Sequence, residues 1–113
     1  MNFNNSVIDW KQVDNVISSS NRILLTTHEN PDGDGLGSEV AMYHHLCDEK
    51  KDVKIINCSI TPSMFDYIND GGCIETYNEN YHLEWLKKCE LVIVFDVGDF
   101  NRTRDIKEAV ERF

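Results

Sequence analysis

Apolar runs of strand length alternate with helical periodicity along this chain, and that alternation limits its fold more than any other feature. Arg22 to Thr27, Val53-Lys54-Ile55-Ile56-Asn57-Cys58 and Leu91-Val92-Ile93-Val94-Phe95 read as strands. The first and last are continuously apolar in the middle, as parallel strands covered on both faces tend to be. Strand and helix in turn predict an α/β fold of three layers, a mainly parallel sheet flanked by helices and joined by right-handed crossovers. With no internal repeat, linker or low-complexity tract, residues 1–113 are expected to form a single domain.

Caps and periodicity place the helices. Ser6-Val7-Ile8-Asp9 has the form of a capping box. Trp10, Val13, Val16 and Ile17 recur behind it, which predicts a helix over residues 8–20 with Trp10 anchored in the core. A second helix, from about Leu36 to Asp48, should turn Leu36, Val40, Tyr43 or His44, and Cys47 to one face. Thr61-Pro62 reads as a cap and first residue of a short helix that Gly71-Gly72 ends. Cys73 to Tyr77 suits a short edge strand, Tyr81 to Lys88 a helix burying Leu83 and Leu86, and Thr103 to Phe113 the start of another helix.

Two of the strands end in acidic turns. The first runs into Thr27-His28-Glu29-Asn30-Pro31-Asp32-Gly33-Asp34-Gly35-Leu36-Gly37-Ser38, and the last into Asp96. If the first and last strands are neighbours, with the second on the other flank, His28, Asp32, Asp34 and Asp96 converge at the carboxyl edge, where parallel sheets place their chemistry. Carboxylates held that close repel unless cations sit between them. One imidazole with several carboxylates suits manganese or magnesium better than zinc or iron. The expectation is a pair of divalent ions about 3.5–4 Å apart activating water against a phosphate ester. His28 and Asp32 would favour one ion, Asp34 the other, and Asp96 would bridge them, making Asp34 and Asp96 the catalytic carboxylates.

Each residue alone has a plainer reading: Asp34 as a helix cap, Asp32 as a turn former, His28 as a hydrogen-bonded structural residue. Their conjunction within seven residues, with a second acidic strand end downstream, is what points to metal. Asn30-x-Asp32-x-Asp34-Gly35 also opens like an EF-hand loop, but its twelfth position falls on Ala41 where glutamate is needed. A P-loop is excluded, since no Gly-Lys-Ser/Thr follows the glycines.

A net charge of −9 argues against a broad basic face for duplex DNA or a membrane surface. No apolar run approaches the roughly 20 residues that span a bilayer. Met1-Asn2-Phe3-Asn4-Asn5 lacks the basic head and apolar core of a signal peptide, so a cytoplasmic protein is expected. Cys47, Cys58, Cys73 and Cys89 are too widely spaced for a zinc site and read as reduced, mostly buried thiols.

HENPDGDGLGS after an apolar strand resembles the first motif of the DHH phosphoesterase family, and LVIVFDVGD, Leu91 to Asp99, resembles its second. The likeness is greatest to the oligoribonuclease and pAp-phosphatase branch, relatives of RecJ-type exonucleases. It implies two Mn²⁺ ions, with Mg²⁺ as the other choice, held by His28, Asp32, Asp34 and Asp96. It implies hydrolysis of short single-stranded RNA or DNA, or of small nucleotide phosphates, by metal-activated water. Arg102 and Arg104, just past the Asp96 turn, could reach a phosphate. The resemblance spans nearly all of the chain but only part of the family pattern. The Asp-His-His motif, a further aspartate and a glycine-rich C-terminal domain that grips substrate are not among these residues, so a partial DHH-type domain is expected, with completion by another chain, as in a homo-oligomer, as one option. His44-His45 is no substitute for the missing histidines, because it lies mid-helix behind Tyr43. The alternative reading is a non-catalytic module that binds metal or nucleotide, or an inactive fragment.

Overall fold

The computed structural model describes residues 8–112. Helix α1 (Trp10–Ser19) leads into β1 (Arg22–Thr26), then α2 (Gly33–Asp48), β2 (Asp52–Asn57), β3 (Ile74–Thr76), α3 (Glu79–Leu86), β4 (Leu91–Val94) and α4 (Asp105–Glu111). Short 3-10 turns at Ser63–Phe65, Asp70–Gly72 and Phe100–Thr103 fill the connections. The strands form one sheet in the order β3-β2-β1-β4. Every pairing is parallel, with Leu25 opposite Ile55 on one side and Ile93 on the other. β1 is therefore internal, and β4 lies beside it as the converging-tips argument requires.

Alternation along each strand divides the core in two, because successive side chains leave opposite faces of a sheet. Ile23 and Leu25 of β1 join Val53 and Ile55 of β2 under Leu36 and Leu46 of α2. Leu24 and Ile56 face the other way and pack with Leu86 of α3 and with Ile106 and Ala109 of α4. The three expected layers follow directly: helix, sheet, helix. No helix among the described residues is long and apolar enough to cross a membrane.

Several local expectations are corrected. Ser6 and Val7 lie outside the described residues. Within them Asp9 caps α1, its carboxylate accepting from Gln12 N at 3.0 Å. Trp10 is 70% exposed and does not anchor the core. The apolar face of α1 instead opens on a groove of about 570 Å³ shared with Met42, Leu91 and Ile93. Periodicity locates an apolar face but not what covers it, and beyond β4 the described residues supply no further strand. α2 starts three residues earlier than its apolar period suggests and buries Gly35, Leu36, Glu39 and Leu46, leaving Cys47 exposed. The other three cysteines are half-buried and form no disulfide. After Pro62 the chain makes only a 3-10 turn with no side-chain cap. α3 is shifted two residues toward the N-terminus and buries His82 with Leu86, Leu83 being only half-buried.

Candidate metal centre

The β1 tip carries the site on a strand that is covered on both faces. Thr26 and Thr27 are fully buried, and His28 is 7% exposed. From there the chain must turn sharply into α2. Asn30 takes a φ of 51°, a left-handed conformation that asparagine tolerates, and its amide donates to Ser59 Oγ at 3.1 Å. Asp32 is the residue that caps α2, its Oδ1 accepting from Gly35 N at 3.1 Å. The capping role considered for Asp34 thus belongs to Asp32, which keeps a second oxygen for other work.

Gly35 is required by a close approach. A Cβ there would lie 2.8 Å from Thr27 Oγ1, and that hydroxyl is not free to yield, since it donates to the Phe95 carbonyl at 2.7 Å. Helix propensity alone favours Gly→Ala by about 1 kcal/mol. Overpacking and the strained hydroxyl outweigh this, so Gly35→Ala is expected to destabilise the chain by about 1–3 kcal/mol net in urea unfolding. Stabilisation would show that α2 can lift from β1 without loss.

β4 delivers Asp96 to the same place. The Phe95 amide donates to Thr26 O at 2.9 Å, and Asp96 then turns with a φ of 55°. His28, Asp32 and Asp96 each offer a ligand atom within 4.8 Å of the others. His28 Nε2 stands 3.6 Å from Asp96 Oδ2. On the other side of the ring, Nδ1 is 2.5 Å from the Glu29 carbonyl oxygen, which can only accept. In the neutral ring the proton therefore sits on Nδ1, and Nε2 presents a lone pair to the two carboxylates. An imidazole held by a backbone carbonyl on one nitrogen and open on the other is the usual arrangement of a metal-ligating histidine. Three acceptors converge, a donor set that could hold a metal ion. The Gly35 amide above all, with the nearby His28, holds the Asp32 carboxyl below its ordinary range against some desolvation.

Asp34 does not join this group. It is exposed in the first turn of α2, beyond the three converging side chains. Arg102 is exposed on the 3-10 turn after Asp96, and its carbonyl accepts from Glu29 N at 2.8 Å. Arg104 is engaged elsewhere: it pairs with both Glu29 oxygens, at 2.7 and 2.8 Å. That pairing lowers the Glu29 carboxyl and raises the guanidinium. His44 and His45 are exposed, His45 pairing with Glu49 along the helix at 3.0 Å.

Sequence reasoning passed over the polar residues beneath the turn, Thr27, Glu39 and Asn57. A signal for two of them existed: Glu39 is an acid three residues after Leu36 on the apolar side of α2, and Asn57 interrupts an apolar strand at its tip.

The family model described as DHH family, N-terminal domain, matches residues 22–112. Among solved structures, an exopolyphosphatase-related protein from Bacteroides fragilis superposes with a TM-score of 0.81 at 20% identity, over 88% of this chain. The chain spans only 30% of the length of that protein, and at this identity the likeness concerns the fold. No curated protein matches the chain.

Proposed function

The chain belongs to the DHH family, whose N-terminal domain it matches over residues 22–112, and from that premise we propose that it is the metal-binding part of a phosphoesterase acting on short single-stranded oligonucleotides or small nucleotide phosphates such as pAp. The observation that supports this most is the convergence of His28, Asp32 and Asp96 from two adjacent strand tips. These three would hold a divalent ion, Mn²⁺ or Mg²⁺ by the hardness of the donors. When bound, such an ion supplies charge to a phosphoryl oxygen and makes water a better nucleophile at neutral pH.

The chain's own residues orient and select. The Glu29 carbonyl fixes the His28 tautomer, and the α2 N-terminus holds Asp32 by its capping amide. Asp34, two residues on, is assigned to a second ion, which other groups of the complete assembly would help to hold. Exposed Arg102 is assigned to the substrate phosphate. With a net charge of −9 the chain offers a phosphate little attraction except at bound cations, which favours small substrates over duplex DNA.

Calorimetry with pAp tests this. Binding is expected only in the presence of Mn²⁺ and is expected to vanish in Asp96→Asn. Uptake of Mn²⁺ with no binding of pAp or a dinucleotide would favour a plain metal-binding module instead. Turnover by the 113 residues alone is expected to be slow, since three side chains meet only part of the coordination demand of two six-coordinate ions. Rapid Mn²⁺-dependent hydrolysis of pAp would show that no further ligand is needed.

A further inference from the structure

Glu39 is an acid on the core-facing side of α2 with no solvent exposure at all. Its Oε1 accepts from Asn57 Nδ2 at 3.0 Å, and its Oε2 is buried without a hydrogen-bond partner. A leucine would avoid burying the partnerless Oε2 but would leave Asn57 Nδ2 without its acceptor, so what Glu39 contributes lies in the bond it makes.

That bond decides which way Asn57 points. A side-chain amide has one donating and one accepting end. With Nδ2 committed to Glu39, Oδ1 faces the β1 tip and accepts from Thr27 N at 3.2 Å and from Thr26 Oγ1 at 3.4 Å. Thr27 in turn donates its hydroxyl to Phe95 O at 2.7 Å. His28 follows Thr27 in the chain, and Asp96 follows Phe95. One buried chain of hydrogen bonds therefore runs from α2 through the β2 tip to the β1 tip and on to the β4 tip. It ends on Thr27 and Phe95, the residues that immediately precede His28 and Asp96.

We infer that Glu39 and Asn57 are positioning residues for the metal centre: Glu39 sets the orientation of the Asn57 amide, which holds the Thr27 peptide, which spaces His28 from Asp96. This deepens the metal reading above and rests on it. Neither residue touches the ion. Burial raises the Glu39 carboxyl to about 8, the Asn57 amide only partly opposing the rise, so the group is mostly neutral at pH 7. Glutamine is therefore its close mimic, with an oxygen for Asn57 and an NH₂ in place of the acid proton.

The test uses the 113-residue chain with Mn²⁺ alone as probe, by calorimetry, together with amide hydrogen exchange at Thr27. Glu39→Gln is expected to match wild type in both. Glu39→Leu, with its fold checked by circular dichroism, is expected to weaken Mn²⁺ binding about 10–100-fold, as loss of an outer-shell partner does, and to speed exchange at Thr27. Should Glu39→Leu fail to fold, Thr27→Val removes the tie to Phe95 alone and is expected to weaken Mn²⁺ similarly. A folded Glu39→Leu, or a Thr27→Val, that binds Mn²⁺ as wild type does would overturn the positioning role and leave the metal reading intact. A wild type that takes up no Mn²⁺ would overturn the metal reading, and this inference with it.

Discussion

Saturating Mn²⁺ is expected to raise the melting temperature of the wild-type chain by about 10 °C and to leave Asp96→Asn unmoved. Binding to the folded state alone stabilises by about 2.7 kcal/mol at a hundredfold excess over Kd. For a domain of this size each kcal/mol shifts the midpoint by about 4 °C. Asparagine is the right replacement. Asp96 sits at a φ of 55°, where alanine would add backbone strain of its own, whereas asparagine accepts the conformation and keeps the shape. Without metal, Asp96→Asn is expected to melt no lower than wild type, because it removes one of two adjacent carboxylates. Scanning calorimetry with and without Mn²⁺ reads both effects. Equal shifts in the two proteins would place the ion elsewhere.

The second large effect concerns pH. The Glu39 carboxyl is raised from its ordinary 4.5 to about 8 in the folded chain. Between those values the folded state holds a proton that the unfolded state has released, so raising the pH favours unfolding. Its contribution is fully present below about pH 4.5, declines toward pH 8 and then levels off. The limiting slope is about 1.4 kcal/mol per pH unit. Glu39→Gln has no proton to lose, so its stability advantage over wild type is expected to grow by about 1 kcal/mol per unit between pH 5 and 8. Asp32, Glu29 and Glu90, all lowered by their partners, act in the opposite direction and in a lower window, losing stabilisation only as pH falls through the acid range. Urea unfolding at unit pH steps separates the two. Parallel profiles for wild type and Glu39→Gln would mean that Glu39 is ionised in the fold.

Strand and helix alternation was enough to predict the class and layering, because each period depends only on local geometry. Strand limits came within a residue or two for the same reason. The neighbouring of β1 and β4 was also accessible, through the electrostatic demand that acidic tips meet. Burial was less legible. Trp10 and Cys47 sit at apolar positions of real helices, yet both are exposed. Whether a face is covered depends on neighbours far along the chain. Glu39 shows the converse, an acid on the apolar side of α2 that tertiary packing seals beneath the turn.

The alternation of strand and helix, and the acidic turns after two of the strands, are written in contiguous residues and can be read without any fold. That Asp32 caps α2 while Asp34 stands outside the converging group emerges from packing in three dimensions. The same holds for the link from Glu39 through Asn57 and Thr27 to the β4 tip. Such selections depend on where side chains tens of residues apart come to lie, and spacing along a chain carries no distance between them.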